Sequence, residues 1–167
     1  MRLNPYAFMG LSSLIAGPVV LLLGRLQSDY AAFAGALVAG GSALVWLGIS
    51  GRRIGRAAWI AVGALAVVGV FGSLLIVREE ISCMYCYYGQ QGYPWGWIDT
   101  GFSHDHMPTV QHAHQIMATN PEIVGRSIDG FKAFVDGTFW GYVALPLAAV
   151  TTQVGRVLQQ ARQVASS

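Results

Sequence analysis

Three long stretches of this sequence contain no charged residue, and they constrain the fold more than any other feature. They are residues 6–24, 31–50 and 57–77. Because a helix needs about 20 predominantly apolar residues to cross a bilayer, each stretch predicts a transmembrane helix. Residues 139–155 form a fourth, shorter apolar stretch, which we interpret as a further span. A re-entrant or surface helix is the alternative for this last stretch.

The composition also indicates a membrane protein. The chain is 54% hydrophobic and 11% charged, whereas soluble domains carry about 25% charged residues. We therefore expect an all-α integral membrane protein with four transmembrane helices, in which an extracytoplasmic loop contains short amphipathic helices. This divides the chain into a three-span region (1–77), the loop (78–138) and a fourth span with a tail (139–167).

The placement of charge predicts an orientation. With four spans, six arginines and no acid fall on one side of the membrane, and all eight acids fall on the other. Cytoplasmic segments favour Lys and Arg. We therefore expect a multi-pass protein of the plasma membrane, with both termini in the cytoplasm and residues 78–138 outside. We expect the first span to be retained, because it is longer than the apolar core of a signal peptide and no small-residue cleavage site follows it.

The four predicted spans contain no Asp, Glu, Lys, Arg or His. Ion pathways and proton relays place such residues inside the membrane. A membrane-bound b-type haem needs axial ligands, commonly histidine, within the bundle. The predicted spans therefore argue against a transporter, a pump or a cytochrome b subunit.

Small residues recur in the spans at helical spacing. One row is Ala32, Ala36 and Gly40, and another is the pair Gly69 and Ser73. Such rows let helix backbones approach closely. They predict packing among the four helices of the chain, and the alternative is docking of a partner subunit or a pigment-like ligand.

Both cysteines lie in one motif, Cys83-Met84-Tyr85-Cys86. Cys-x-x-Cys is typical of a disulfide, of half a zinc site or of a redox pair. Because disulfides persist outside the cytoplasm, we favour a structural Cys83–Cys86 bond. A metal site and a catalytic redox pair are the alternatives, although no neighbouring cation is present to lower a thiol pKa.

The four-span plan with an outward-facing Cys-x-x-Cys resembles membrane thiol oxidases that feed electrons to quinone. Those families relay electrons through two cysteine pairs, whereas this chain has one pair. The resemblance is one of architecture alone, and no residue is carried over from it. It adds a thiol-disulfide oxidoreductase to the alternative functions.

Aromatic residues interleaved with glycine and proline follow the cysteines. These are Tyr87, Tyr88, Tyr93, Trp95 and Trp97. Glycine and proline predict turns, and rings with a polar tip suit the membrane–water boundary. We interpret the segment as a disulfide-stapled cap that its rings anchor at the outer leaflet. The alternative is an aromatic platform for a ligand, a lipid or a neighbouring subunit.

Four histidines lie in the stretch "SHDHMPTVQHAH". If their segment is extended, His104 and His106 point the same way and can bind Zn or Cu together with a cysteine or an acid. We expect His112 and His114 on a short helix, where they lie about 200° apart and cannot share one ion. The best metal set is therefore His104, His106 and one of the other two. The alternative is that each is a surface or hydrogen-bonded histidine.

The sequence Asn120-Pro121-Glu122 predicts the start of a second helix in the loop. On that helix, apolar and polar side chains would fall on opposite faces, which makes it amphipathic. The apolar face would contain Val124, Ile128, Phe131 and Val135, and the polar face Glu122, Arg126, Asp129 and Asp136. We expect this helix to lie on the outer leaflet or to cover the loop.

These patterns predict a small non-catalytic accessory subunit of a larger membrane protein complex. The two alternatives are a metal-binding extracytoplasmic module and the thiol-disulfide oxidoreductase. The sequence requires no cofactor, and it leaves Zn, Cu, lipid, quinone and pigment open. We expect the bilayer and other membrane subunits as partners, and no nucleic acid, because the C-terminal tail is short and weakly basic.

Overall fold

The computed structural model describes residues 4–25, 27–51, 55–82, 85–105 and 109–165. The chain divides into two compact units. The helical unit comprises Met1–Gly69 and Gly137–Ser167, and the sheet unit comprises Val70–Asp136.

The described residues form five α-helices. They are α1 (Pro5–Leu23), α2 (Ser28–Ile49), α3 (Arg56–Ser73), α4 (Val110–Thr119) and α5 (Gly130–Ala165). Within the described residues, α1, α2, α3 and the Gly130–Thr151 part of α5 are long and apolar enough to cross a membrane. The prediction of four apolar helices is thus confirmed, although the fourth helix begins at Gly130 rather than near residue 139.

Glycines let α1 and α2 pack backbone to backbone. A Cβ atom on Gly10 would lie 2.6 Å from the carbonyl oxygen of Gly41, and one on Gly48 would lie 2.6 Å from the backbone nitrogen of Ala7. At the start of α1, Asn4 accepts the Tyr6 N–H at 3.2 Å and donates to the Gly48 carbonyl at 3.3 Å. Because packing rather than the hydrophobic effect drives helix association in lipid, these close approaches specify the α1–α2 pair.

Tyr142 connects α5 to two other helices. Pro146 has no N–H, so the carbonyl of Tyr142 lacks its helical hydrogen bond. Gly40 of α2 lies against that carbonyl, and a Cβ there would come within 2.7 Å of the oxygen. The Tyr142 hydroxyl lies 2.6 Å from Ser13 Oγ of α1. It acts as the donor, because the Ser13 hydroxyl already donates to the Met9 carbonyl.

α3 is the least buried of the four apolar helices. Only 11% of its apolar window is buried, compared with 39% for α2. Its Val62 joins a core with Leu44, Leu47 and Leu145. Gly69 lies against the ring of Trp140, 2.5 Å from the position of an added Cβ. Most other large side chains of α3 are exposed.

The sheet unit contains four antiparallel strands in the order β1-β2-β3-β4. The strands are β1 (Val77–Ser82), β2 (Cys86–Gln91), β3 (Ile98–Ser103) and β4 (Gly125–Ile128). Helix α4 covers one face, where Tyr87 and Phe102 of the sheet pack on Ala113 and Ile116 of the helix.

The sheet corrects the prediction of an all-α fold. One predicted amphipathic helix is present as α4, but four other segments form the strands β1 to β4. Aromatic and β-branched residues favour strands, and side chains of β2 alternate between the two faces. The glycines of this segment indicate turns by themselves, yet Gly89 and Gly101 lie inside strands.

The predicted helix from Asn120 is also wrong. Pro121–Ile123 forms a single 3₁₀ turn, and Gly125–Ile128 then pairs with β3. The next helix is capped by Asp129, whose Oδ1 accepts the N–H groups of Phe131 and Lys132, both at 3.0 Å. The stronger capping residue therefore lies nine positions further along the chain.

Candidate functional site

The sheet register brings the β1–β2 connection, which ends at Cys86 (the cysteine hairpin), beside the segment that begins at His104 (the first histidine segment). Cys86 pairs with Ser82 on one side and Ser103 on the other. The N–H of His104 then donates to the carbonyl of Tyr85 at 2.9 Å. The two segments that carry the predicted metal ligands therefore leave the same end of the sheet side by side. Cys83 lies outside the described residues, so its disulfide with Cys86 stays a prediction.

The histidines have different surroundings. His104 directly follows β3, His106 lies outside the described residues, and His112 and His114 lie on α4. The ring of His114 lies within hydrogen-bond distance of the Glu79 carboxylate on β1. Among the described residues, no group of three or more His, Cys, Asp or Glu side chains is close enough to hold a metal ion.

Glu79 connects the sheet to α4. One of its oxygens, Oε1, accepts the Tyr87 hydroxyl at 2.6 Å and lies 2.7 Å from Nε2 of His114. Glu79 faces Gly89 across the strand pair. The missing side chain leaves room for the phenol of Tyr87, because a Cβ on Gly89 would lie 2.8 Å from the hydroxyl. The local sequence thus requires a glycine here for the three side chains to meet.

The electrostatics of this cluster favour a structural role. The hydrogen bond from Tyr87 lowers the pKa of Glu79, and His114 lowers it further, against the opposing effect of burial. Burial and the Glu79 carboxylate both raise the pKa of Tyr87. Effective general acids and bases have pKa values near the working pH, and these two groups are shifted away from it. The cluster therefore fastens α4 to the sheet.

A second polar network lies on the opposite face of the sheet. Tyr88 donates its hydroxyl to Asp99 Oδ1 at 2.8 Å. The amide of Gln90 donates to the same oxygen at 3.0 Å and to the Tyr88 hydroxyl at 2.8 Å. Lys132, from the first turn of α5, lies 3.5 Å from Asp99 Oδ2. Asp99 therefore holds the ring of Tyr88 in a fixed position.

The carboxyl of Asp99 is ionised at neutral pH. Burial alone would raise its pKa, but the hydrogen bonds from Gln90 and Tyr88 and the charge of Lys132 outweigh burial, and the pKa is lowered. Burial raises the pKa of Tyr88, and Asp99 raises it further. Both side chains thus keep the protonation states that the hydrogen bond between them needs.

The five predicted cap aromatics fall into three environments. Tyr87 is in the core under α4, Tyr88 is 41% exposed on the other face, and the remaining three belong to the β2–β3 loop. In that loop, the N–H of Trp97 donates to the Gln91 carbonyl at 2.9 Å. Gly92 has φ = +121°, which only glycine adopts readily. The loop is thus a folded turn in which Trp97 is buried.

Asp136 is a buried acid that sequence reasoning did not single out as a site. It is fully buried, and its Oδ1 accepts the N–H of Trp95 at 3.3 Å. Asp136 and Lys132 both lie in the part of α5 that is long and apolar enough to cross a membrane, which begins nine residues before the predicted span. The signal that could have found them is Asp129-Gly130, which marks the true start of α5.

Comparison of this chain with known protein families, curated proteins and solved structures found no match.

Proposed function

We propose that this chain is a small non-catalytic accessory subunit of a larger membrane protein complex. The observation that carries the proposal is the exposure of α3, of which 11% is buried by the rest of the chain. Three small residues, Ala57, Ala61 and Ala64, share one exposed face of this helix. Small residues are enriched where transmembrane helices contact one another.

The internal contacts of the helical unit show how its other small residues are used. The space beside Gly40 is occupied by the side chain of Tyr142, and the space beside Gly69 by the side chain of Trp140. An added Cβ on Gly72, which lies on the same side of α3 as the three alanines, would by contrast meet no atom within 4 Å among the described residues. The exposed face of α3 therefore resembles in composition the helix faces that pack inside the chain, and a helix of a partner subunit fits it better than lipid tails do.

Bulky substitutions on α3 test the proposal. The tagged full chain is purified from its own membrane in mild detergent, and complex size is read on a native gel. We expect Ala61→Leu and Ala64→Leu to reduce the large complex at least tenfold. Val67→Leu is the control. It adds bulk beside the large exposed side chain of Ile60, away from the three alanines, and should leave the complex intact. A wild-type chain that migrates alone, or equal loss in all three variants, contradicts the proposal.

We also propose that the protein resides in the plasma membrane, with its termini in the cytoplasm and the sheet unit outside. The support is the charge asymmetry, because all eight acids fall on one side of the four charge-free stretches of the sequence. Cytoplasmic segments favour Lys and Arg. With the sheet unit outside the cytoplasm, a Cys83–Cys86 disulfide would lie in a compartment where disulfides persist.

A metal-binding module is the second candidate, and one observation favours it. The hydrogen bond from His104 to Tyr85 brings the histidine segment beside the cysteine hairpin. Two cysteines and two histidines would complete a four-ligand zinc set. That set would be Cys83, Cys86, His104 and His106.

Metal analysis of the full chain, purified without chelator, tests this second candidate. We expect one Zn per chain, lost in His104→Ala and retained in the control His112→Ala. Metal-free wild-type protein, or equal metal content in both variants, would rule out this set. Intact mass then distinguishes the remaining states, because a disulfide lowers the mass by two hydrogens.

A further inference from the structure

The sheet face opposite α4 carries a groove that neither proposed function uses. Its volume is about 310 Å³, which lies at the lower end of the range for ligand sites, about 300–1,000 Å³. Residues of β2, β3 and β4 line it: Tyr88, Asp99, Thr100, Gly101, Gly125, Arg126 and Ser127.

The floor of the groove consists of two paired glycines. Gly101 of β3 and Gly125 of β4 face each other in the register. A glycine inside a strand costs about 0.5–1 kcal/mol relative to alanine, so its presence calls for a reason. Neither residue has a positive φ angle. An added Cβ on either would approach a single atom, a carbonyl oxygen at 3.4 Å, which is ordinary contact.

Backbone geometry and internal packing therefore do not explain these glycines within the described part of the chain. The remaining common reason for glycine in a strand is close approach of a ligand or another backbone. The groove above the two glycines is the space that such a ligand would fill. The wall of the groove is the ring of Tyr88, which Asp99 holds in place at 2.8 Å.

The charges around the groove indicate a neutral ligand. Asp99 is already paired with Lys132 at 3.5 Å, so a cationic ligand would compete with a cation that is present. Arg126 borders the groove, but it pairs with Thr100, one register position away from the two glycines, so strand alternation directs its side chain to the other face of the sheet. On the groove face, the ligand would meet an aromatic ring, the Asp99 carboxylate and the Ser127 hydroxyl.

We propose that this groove binds a neutral sugar ring. The apolar C–H face of a sugar carries partial positive charge and stacks on the negative face of the Tyr88 ring. The sugar hydroxyls donate to Asp99 and exchange hydrogen bonds with Ser127. The missing side chains at Gly101 and Gly125 give the ring access to the backbone. This binding activity goes beyond the accessory role and does not rest on it.

A glycan-binding assay of the full chain tests the proposal. The chain is held in lauryldimethylamine oxide, because maltoside detergents would compete. The probes are immobilised neutral oligosaccharides of glucose, galactose, mannose and N-acetylglucosamine, with uronic-acid and sulfated glycans alongside. The best neutral glycan is then titrated against the variants to obtain dissociation constants.

We expect Tyr88→Ala and Gly101→Val to weaken binding at least tenfold. Valine favours strands and fits sterically at its Cβ, so Gly101→Val fills the groove without unfolding the sheet, which thermal unfolding checks. Ser103→Val, an exposed position further along β3, is the control and should bind as wild type. Binding of acidic glycans alone, no binding of any neutral glycan, or unchanged affinity in Gly101→Val would each overturn the proposal.

Discussion

At the scale of single residues, Glu79 is a polar side chain that connects α4 to the sheet. Its carboxylate accepts from Tyr87 at 2.6 Å and contacts His114 at 2.7 Å, while its side chain is 26% exposed. Hydrogen bonds to a charged group contribute about 1.5–3 kcal/mol, and partial exposure reduces this to about 1–2 kcal/mol. Glu79 therefore supplies a pH-dependent share of the attachment of α4 to the sheet.

The lowered pKa of Glu79 sets the direction of this dependence. Its stabilisation is fully present above the ordinary value of 4.5 and is lost as the pH falls through the lowered folded value. Hydrogen-exchange protection of the α4 amides, corrected for intrinsic rates, should thus fall below about pH 4.

The substitution Glu79→Gln should remove this share at pH 7. Protection of α4 is expected to fall about tenfold, since 1.4 kcal/mol corresponds to one factor of ten. The neighbouring Glu80→Gln, whose side chain lies on the opposite face of β1, is the matched control and should keep wild-type protection. Equal protection in Glu79→Gln and wild type would show that the hydrophobic contacts of Ala113 and Ile116 hold α4 alone.

Single residues also mark the limit of what sequence reasoning could predict here. The helical placement of His112 and His114 follows from local spacing. The contact of His114 with Glu79 does not, because it depends on the register of β1 and on the gap at Gly89. The buried Asp136 could have been recognised only by placing the start of α5 at Asp129-Gly130.

At the scale of elements, the apolar helices could be predicted and the strands could not. Charge-free stretches of 17 to 21 residues are a local signal for a membrane helix. Six-residue strands depend on partners elsewhere in the chain. Val124 and Ile128 fit an amphipathic helix by spacing, yet they lie outside any helix because β4 pairs with β3 and Asp129 caps α5.

The packing of α2 on α5 gives a prediction at this scale. A side chain at Gly40 would collide with both the ring and the carbonyl of Tyr142, at 2.6 and 2.7 Å from its Cβ. We expect Gly40→Leu to separate the helices and to lower the thermal unfolding midpoint by several degrees, because overpacking costs about 1–3 kcal/mol.

Gly35 provides the matched control on the same helix. An added Cβ there meets no described atom within 4 Å. Gly35→Leu should therefore unfold at the wild-type temperature in detergent. Similar losses in both variants would indicate a general intolerance of α2 to leucine rather than the specific contact with Tyr142.

At the scale of the whole molecule, the orientation proposed from the charge asymmetry can be measured directly. A cysteine introduced at Asp105 should react with a membrane-impermeant maleimide in intact cells. A cysteine at Gln163 should react only after permeabilisation. Wild-type chain gives the background from Cys83 and Cys86. The reverse pattern would place the sheet unit in the cytoplasm and remove the basis for a disulfide there.

The central claim is that α3 joins this chain to a larger membrane assembly. Native mass spectrometry of the wild-type protein, extracted from its own membrane in mild detergent, tests it most directly. We expect a mass well above the 17.9 kDa of one chain, with a partner of different mass released on activation. A single species at the mass of one chain, free of partners under the mildest extraction, would contradict it.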